Sequence, residues 1–213
     1  MKTAEIEPQW PTQYAKDTSY TNYLNLHTIL SAAKPTTEEP LELLFITAHQ
    51  TTELWFKILI IELQRIIAVP LDDIHPSYSP VLQLQRIIKI LEHLTTLWDI
   101  LATMQPEEYA NFRSNLGSAS GMQSVQYKKV EELLRKLPSR WSYKYKQHLL
   151  DIENTFKKWQ FAHMKTVERI IGSDTKGTGG TTGVKYLKAA VDKPLYLEHL
   201  TAEEQYDTEW KGW

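Results

Sequence analysis

The chain has 213 residues, of which 42% are hydrophobic and 23% charged, and its formal net charge is -2. These values are typical of a globular protein with one core, so we expect residues 1–213 to form a single domain. The near-neutral charge argues against nucleic acid as a partner, because binding a phosphate backbone needs a positive field. The chain has no cysteine, which excludes disulfides, thiolate-bound zinc, iron–sulfur clusters and cysteine-attached haem.

The sequence carries no pattern of a secretory leader or a membrane span. Two glutamates and a proline fall within the first eight residues, where a leader needs a continuous apolar core. The most apolar stretch, residues 41–67, contains several charged side chains that a bilayer would rarely accept. We therefore expect a cytoplasmic protein without a membrane partner.

Apolar residues recur at helical spacing in five segments of the chain. The predicted helices run from Pro40 to Pro70, from about Pro80 to Met104, from Pro106 to Asn115, from Val125 to Leu137 and from Tyr143 to Ile171. Five of the eight glycines fall between Gly172 and Gly183, so turn signals are sparse elsewhere. Because strand alternation with hairpin turns is absent, the sequence predicts an all-α helical bundle.

Two of the seven histidines lie on apolar helical faces. His163 shares a face with Trp159, and His49 shares one with Phe45 and Phe56. A buried histidine that is hydrogen-bonded to a neighbour explains either pattern. The sequence lacks the Glu-x-x-His pairs of di-iron bundles and the His-Glu-x-x-His motif of zinc proteases. A single axial imidazole on a flat cofactor such as haem remains open.

The glycine-rich run GTGGTTG, residues 177–183, follows a predicted helix and lacks the lysine of a phosphate-binding loop. It is either a flexible connection between helices or a loop that closes over a ligand with Thr178 as a polar contact.

Arg113 stands one helical turn after Tyr109. Its guanidinium is either a solvated surface charge or a planar group that binds a carboxylate with two hydrogen bonds beside an apolar pocket.

Four blocks of sequence resemble the haem-dependent tryptophan 2,3-dioxygenases. The blocks are SYTNYLNLHTIL (19–30), ELLFITAHQTTELWFKILIIEL (42–63), FRSNLGSASGMQSVQYK (112–128) and WQFAHMKTVERIIGSDTKGTGGTTGVKYL (159–187). They keep the order of the family and span most of the chain. The resemblance implies a helical bundle that encloses a b-type haem and uses O2 as co-substrate.

The resemblance also assigns roles to individual residues. His163 would be the axial ligand of the haem iron, and His49 would lie on the opposite side, where it can hydrogen-bond the indole N–H. Phe45 would pack against the indole, and Arg113 would bind the substrate carboxylate with Tyr109 beside it. Thr178 would contact the substrate ammonium or a haem propionate. Ser120 and Gly121 would lie near the haem edge.

The N-terminal segment, residues 1–40, is expected at a subunit interface by the same resemblance. Tyr20, Tyr23 and Leu24 would reach into the pocket of a neighbouring copy, which implies a homo-oligomer, either a tetramer or a dimer. From the residues alone, the segment could equally pack on its own bundle.

The implied reaction inserts O2 into the indole C2=C3 bond of L-tryptophan or a close indole derivative, as in tryptophan catabolism by the kynurenine pathway. Two alternatives stay open: a haem-dependent monooxygenase of an aromatic amino acid or modified tryptophan, and a haem-binding sensor or carrier without turnover.

The sequence departs from the family pattern in several places. The connection between Lys128 and Trp159 is short, Met122 replaces a phenylalanine, Lys128 an arginine and Thr181-Thr182 two serines, and one extra residue lies between Gly172 and Gly177.

Overall fold

Helices form the regular structure of the chain. The computed structural model describes residues 19–69, 79–180 and 182–196. Its helices are α1 (Tyr20–Tyr23), α2 (Leu26–Leu30), α3 (Pro40–Ala68), α4 (Pro80–Leu101), α5 (Pro106–Arg113), α6 (Val125–Lys136), α7 (Pro138–Ile171) and α8 (Val184–Asp192), with 3-10 turns at Ser114–Leu116 and Gly121–Gln123. These ranges contain no strand, so the predicted all-α fold is confirmed.

The first two long helices begin where the prolines predict. Pro40 opens α3 behind Glu39, whose side chain accepts the Leu41 N–H, and Ser79 caps α4 ahead of Pro80. Helix α3 ends at Ala68, and Pro70 lies outside the described residues. In the described ranges, no helix combines the length and apolar content that a membrane crossing requires.

Several helix boundaries differ from the prediction, and helix α4 ends at Leu101, three residues before the predicted Met104. The chain tightens into a 3-10 turn after Arg113, so α5 ends earlier than expected. Helix α7 begins at Pro138 and has one non-helical residue, Tyr145, at φ -124° and ψ 24°. Two helical segments therefore meet at a kink, and the apolar periodicity revealed only the second. Helix α8 was not predicted, because it follows the glycine-rich loop and has neither a proline nor a side-chain cap at its start.

The core lies between α4 and α7, the most extensive helix pair, with α3 packed on α4 and α6. Residues with no measurable exposure come from each helix of this group: Leu59, Leu63 and Ile66 of α3, Leu84, Ile87, Leu91 and Leu94 of α4, Val130 and Leu134 of α6, and Leu149, Ile152 and Phe156 of α7. Each set recurs at spacings of three and four residues, so every helix turns one apolar face inward. This packing fixes the positions from which side chains reach the candidate site.

The segment after α8 returns onto α7 through a buried carboxylate. Glu153 accepts the backbone N–H groups of Leu195 at 2.7 Å and Tyr196 at 3.3 Å. The Tyr196 hydroxyl donates to the Leu149 carbonyl at 2.6 Å. Helix α8 is thereby held against α7, close to the glycine-rich loop that precedes it.

The N-terminal arm, residues 19–31, lies on the outside of the bundle. Neither α1 nor α2 contains a buried residue. Just beyond the arm, the Ala32 carbonyl accepts a hydrogen bond from the Gln50 side chain of α3 at 3.2 Å. The end of the arm is therefore attached to α3, while most of its side chains are exposed.

Candidate active site

Two histidines from different helices lie beside one tryptophan. The ring of His163 on α7 stacks on Trp98 of α4, with centroids 4.5 Å apart and planes 21° apart. The ring of His49 on α3 meets the edge of Trp98 at 6.2 Å. Three core helices thus converge on one aromatic site. The sequence placed both histidines on core faces but did not identify Trp98 as the residue between them.

His163 is a neutral imidazole with unused ring nitrogens. Burial, and to a smaller extent the nearby His49, lowers the pKa of His163 to about 4. Among the described residues, neither of its nitrogens has a hydrogen-bond partner, and the indole N–H groups of Trp98 and Trp159 are buried without one. A neutral, unpaired imidazole between aromatic walls is the donor that an axial haem site requires, so these residues fit the cofactor.

His49 has one nitrogen committed and one available. Its Nδ1 lies 2.7 Å from the Phe45 carbonyl oxygen. Burial lowers the pKa of His49, although the Phe45 carbonyl and the Glu53 carboxylate oppose the shift. The carbonyl can only accept, so Nδ1 must carry the hydrogen, and the Nε2 of the neutral ring keeps its lone pair. His49 can therefore accept a hydrogen bond at Nε2.

Phe45 joins His49 to the helix that carries Arg113. Its ring lies 4.2 Å from the His49 ring and 5.9 Å from the Tyr109 ring, centroid to centroid. Phe56, which the sequence placed with His49, packs against Trp159 of α7 at 5.5 Å. The wall beside His49 is therefore formed by Phe45 and α5.

Arg113 reaches the glycine-rich loop. Its Nη2 donates to the Lys176 carbonyl at 2.8 Å, and the side chain is half-buried. Tyr109, one turn earlier, is 6% exposed. Burial raises the pKa of Tyr109, and the neighbouring Arg113 partly offsets this rise. The Lys176 carbonyl and the neighbouring Tyr109 thus hold the Arg113 guanidinium, which has five N–H donors in all, at the end of α5.

The glycine-rich loop lies on the turn that contains Ser120 and Gly121. The Thr178 hydroxyl donates to the Ala119 carbonyl. A Cβ atom on Gly179 would lie 2.7 Å from the Ser120 Cβ, closer than real Cβ atoms approach. The absence of a side chain at Gly179 therefore permits the contact. The structure brings together Thr178, Ser120 and Gly121, three residues that the resemblance placed in the site.

The three arm residues of the predicted site are not enclosed by their own chain. Tyr20 is 62% exposed, Tyr23 78% and Leu24 37%. Their placement in a neighbouring pocket remains a prediction about a second copy.

Fold and site together define an all-α protein in which two neutral histidines, from α3 and α7, contact one tryptophan of α4, and Phe45 connects His49 to the helix that carries Arg113. The family model described as tryptophan 2,3-dioxygenase matches residues 9–148 and 138–205. This chain belongs to the tryptophan 2,3-dioxygenase family.

Individual relatives agree with the family match. The tryptophan 2,3-dioxygenase of Bordetella parapertussis is 32% identical over 259 residues, covering 87% of this chain and 90% of the relative. Those of Cupriavidus necator and Polaromonas sp. are 31% and 33% identical, each covering 87% of both chains.

The same alignments indicate where this chain is shorter. They extend over 259 positions, more than the 213 residues of the chain, so the relatives contain internal residues that this chain lacks. The family model matches in two pieces that meet at residues 138–148. This meeting point lies at the start of α7, within the short connection seen in the sequence.

Proposed function

We propose that this protein is a haem-dependent dioxygenase that adds both atoms of O2 across the indole C2=C3 bond of L-tryptophan, giving N-formylkynurenine. The observation that carries the proposal is the convergence of His49 and His163 on Trp98 within one cluster of aromatic side chains. The family of the chain supports the same reaction.

His163 is the residue that we propose as the holder of haem b. When bound, the haem supplies the ferrous centre at which O2 is activated. The low pKa of His163, about 4, keeps its imidazole in the neutral, ligating form at physiological pH. Its stacking on Trp98 fixes the plane of the ring.

His49 would orient the indole. Because its Nδ1 is committed to the Phe45 carbonyl, its Nε2 can accept the indole N–H. Phe45 would pack on the indole ring, and together these contacts hold the C2=C3 bond in one place. Positioning of this kind contributes strongly to catalysis, since reacting atoms must be aligned before they react.

The amino-acid part of the substrate would meet Arg113 and Thr178. A carboxylate that enters an apolar pocket loses water, and a charge-assisted pair with a guanidinium offsets that cost. The Thr178 hydroxyl hydrogen is committed to the Ala119 carbonyl, so its oxygen offers lone pairs. An acceptor at this position suits the substrate ammonium better than a haem propionate.

The proposal is tested by the visible absorption spectrum and by product analysis. The purified protein should show a Soret band that shifts when L-tryptophan is added. With isotopically labelled O2, the product should be N-formylkynurenine with two labelled oxygen atoms. A colourless protein that gains no Soret band on reconstitution with haem would refute the proposal, and so would a stable haem protein without turnover.

A monooxygenase is the second candidate, because the alignments indicate a missing internal segment near the start of α7. A shorter chain can leave the pocket open to a different aromatic substrate. The same isotope experiment distinguishes the two reactions, since a monooxygenase incorporates one labelled atom and releases the other as water.

A further inference from the structure

A buried carboxylate organises the segment that precedes α3. Glu42, in the first turn of α3, is 2% exposed. One of its oxygens accepts the Thr36 N–H at 2.9 Å and the Thr36 hydroxyl at 2.8 Å. The other accepts the Thr37 N–H at 2.7 Å and the Thr37 hydroxyl at 2.5 Å. All four hydrogen bonds end on one side chain.

The charge of Glu42 decides which way these hydroxyl groups point. Burial alone would raise the pKa of Glu42, but the hydrogen bonds from Thr37 and Thr36 outweigh it and lower the pKa to about 2. An ionised carboxylate can only accept, so both threonine hydroxyl hydrogens are committed to it. Their lone pairs are then available to donors from elsewhere.

One such donor comes from the turn that follows α5, and a second asparagine, on α5 itself, attaches to the neighbouring Glu39. The Asn115 side-chain amide donates to the Thr36 hydroxyl oxygen at 3.3 Å. The Asn111 side-chain amide donates to the Glu39 carboxylate at 2.8 Å. The two asparagines are four residues apart, so they lie on one side of the helix end and together attach it to residues 36–39.

Arg113 lies midway between the two asparagines in sequence, and in α-helical geometry its side chain leaves the helix roughly 160° away from that of Asn111. On that opposite side, it donates to the Lys176 carbonyl of the glycine-rich loop. The attachment on one side of the helix end therefore sets the direction in which the guanidinium projects on the other.

We propose that Glu42 is a positioning residue for the substrate site. It holds residues 36 and 37, and this segment in turn fixes the rotation of the helix end that carries Arg113. This inference rests on the proposed function, in which Arg113 binds the substrate carboxylate.

The central test is Glu42→Gln in the haem-loaded protein. A glutamine would place an amide donor against a backbone N–H of Thr36 or Thr37. The four hydrogen bonds that surround the Glu42 carboxylate, here called the cage, therefore cannot all form. The affinity for L-tryptophan, measured by equilibrium dialysis, should fall about tenfold, since displacement of a positioned group by a fraction of an ångström has effects of this order. KM should rise more than kcat falls. Binding of 3-methylindole, which has no carboxylate, should stay within about twofold.

Glu62→Gln is the matched control. Glu62 is also a buried carboxylate of α3, 6% exposed, but it pairs with Arg86 of α4 at 3.0 Å. This substitution should leave the preference for L-tryptophan over 3-methylindole unchanged. If Glu62→Gln reduces that preference as much as Glu42→Gln does, general destabilisation of α3 explains both effects and the inference is wrong.

A second variant covers the case in which Glu42→Gln does not fold. Asn111→Ala with Asn115→Ala removes only exposed side chains and leaves the cage around Glu42 intact. It should cause the same selective loss of L-tryptophan affinity. An unchanged preference in this double variant overturns the inference.

Arg113→Lys separates the inference from the function on which it rests. If Arg113→Lys lowers L-tryptophan affinity while the Glu42 and asparagine variants do not, only the role of Glu42 is wrong. If Arg113→Lys also has no effect, the carboxylate contact of the proposed function is wrong, and the inference fails with it.

Discussion

Two half-buried histidines of this chain differ in the hydrogen bonds that their ring nitrogens make. His49 gives its Nδ1 hydrogen to the Phe45 carbonyl, whereas His163 has no hydrogen-bond partner among the described residues. Burial lowers the pKa of both. An unpaired neutral imidazole can coordinate a metal, and an imidazole with one committed nitrogen has a defined acceptor on the other side. The structure therefore supports different roles for the two residues.

His163→Ala should abolish stable haem binding. His148 lies fifteen residues earlier on α7, on the order of 22 Å along the axis, so it cannot replace the ligand. The measurement is the ratio of Soret absorbance to protein absorbance after purification. His148→Ala is the control and should retain haem. Retention of the wild-type ferrous spectrum by His163→Ala, without added imidazole, would show that the ligand assignment is wrong.

His49→Ala should retain haem and lose turnover. Removal of one hydrogen bond to the indole costs about 1–3 kcal/mol, which corresponds to a loss of roughly five- to 150-fold in kcat/KM. The acceptor must be neutral, and burial places the pKa of His49 below its usual 6.5. The wild-type kcat/KM should therefore be constant above pH 6.5 and fall only at lower pH. His49→Ala should lack that part of the acid limb, and full activity of this variant would exclude His49 from the site.

Arg113→Lys should lower affinity for L-tryptophan by roughly tenfold. Lysine keeps the positive charge but lacks the planar fork that binds a carboxylate with two hydrogen bonds, a difference of about 1.5–3 kcal/mol. The dissociation constants of L-tryptophan and a 3-alkylindole, each for wild type and variant, measure the effect. Equal losses for both ligands would mean that Arg113 does not contact the carboxylate.

At the scale of elements, the glycine-rich loop and the turn at residues 119–121 depend on one close approach. Gly179→Ala would push a Cβ into the Ser120 side chain, 2.7 Å away, so the loop could not lie on the turn. We expect KM for L-tryptophan to rise by roughly tenfold and the loop to be cut faster in limited proteolysis. Adding Ser120→Gly removes the obstructing Cβ and should restore part of the affinity. Wild-type KM and proteolysis for Gly179→Ala would contradict a functional contact.

At the scale of the whole molecule, the N-terminal arm has exposed apolar residues, and the chain just beyond it is attached to α3 by the hydrogen bond from Gln50 to the Ala32 carbonyl. We expect it to be covered by a second copy, in which Tyr20, Tyr23 and Leu24 complete the pocket. Serine at these three positions should shift the protein to smaller species in sedimentation velocity and remove most of the activity. Leu82→Ser, at a position 62% exposed on α4, is the control. A wild-type monomer that is active at micromolar concentration would contradict the shared pocket.

The apolar spacing of the sequence determined the long helices. Helices α3, α4 and α6 begin within one residue of their predicted starts, because each has a proline or a cap before a periodic apolar face. The start of α7 was missed by five residues, since the kink at Tyr145 interrupts its pattern. Helix α8 was missed because it begins after Gly183, without the proline that marks the start of the shorter α5. Local preferences thus fix helices that have a start signal or a long apolar pattern.

The site was predicted only in part, because the sequence of one helix does not show which residues of another helix it will contact. The two core histidines followed from their helical faces, and the roles of Arg113 and Thr178 came from family resemblance. The stacking of Trp98 on His163, the bond from Arg113 to Lys176 and the bond from Asn115 to Thr36 join residues far apart in the chain. Such pairs depend on how helices pack and rotate against one another, and this is decided by the whole core. The sequence by itself determined which faces are buried, and only the tertiary structure decided which buried residues meet.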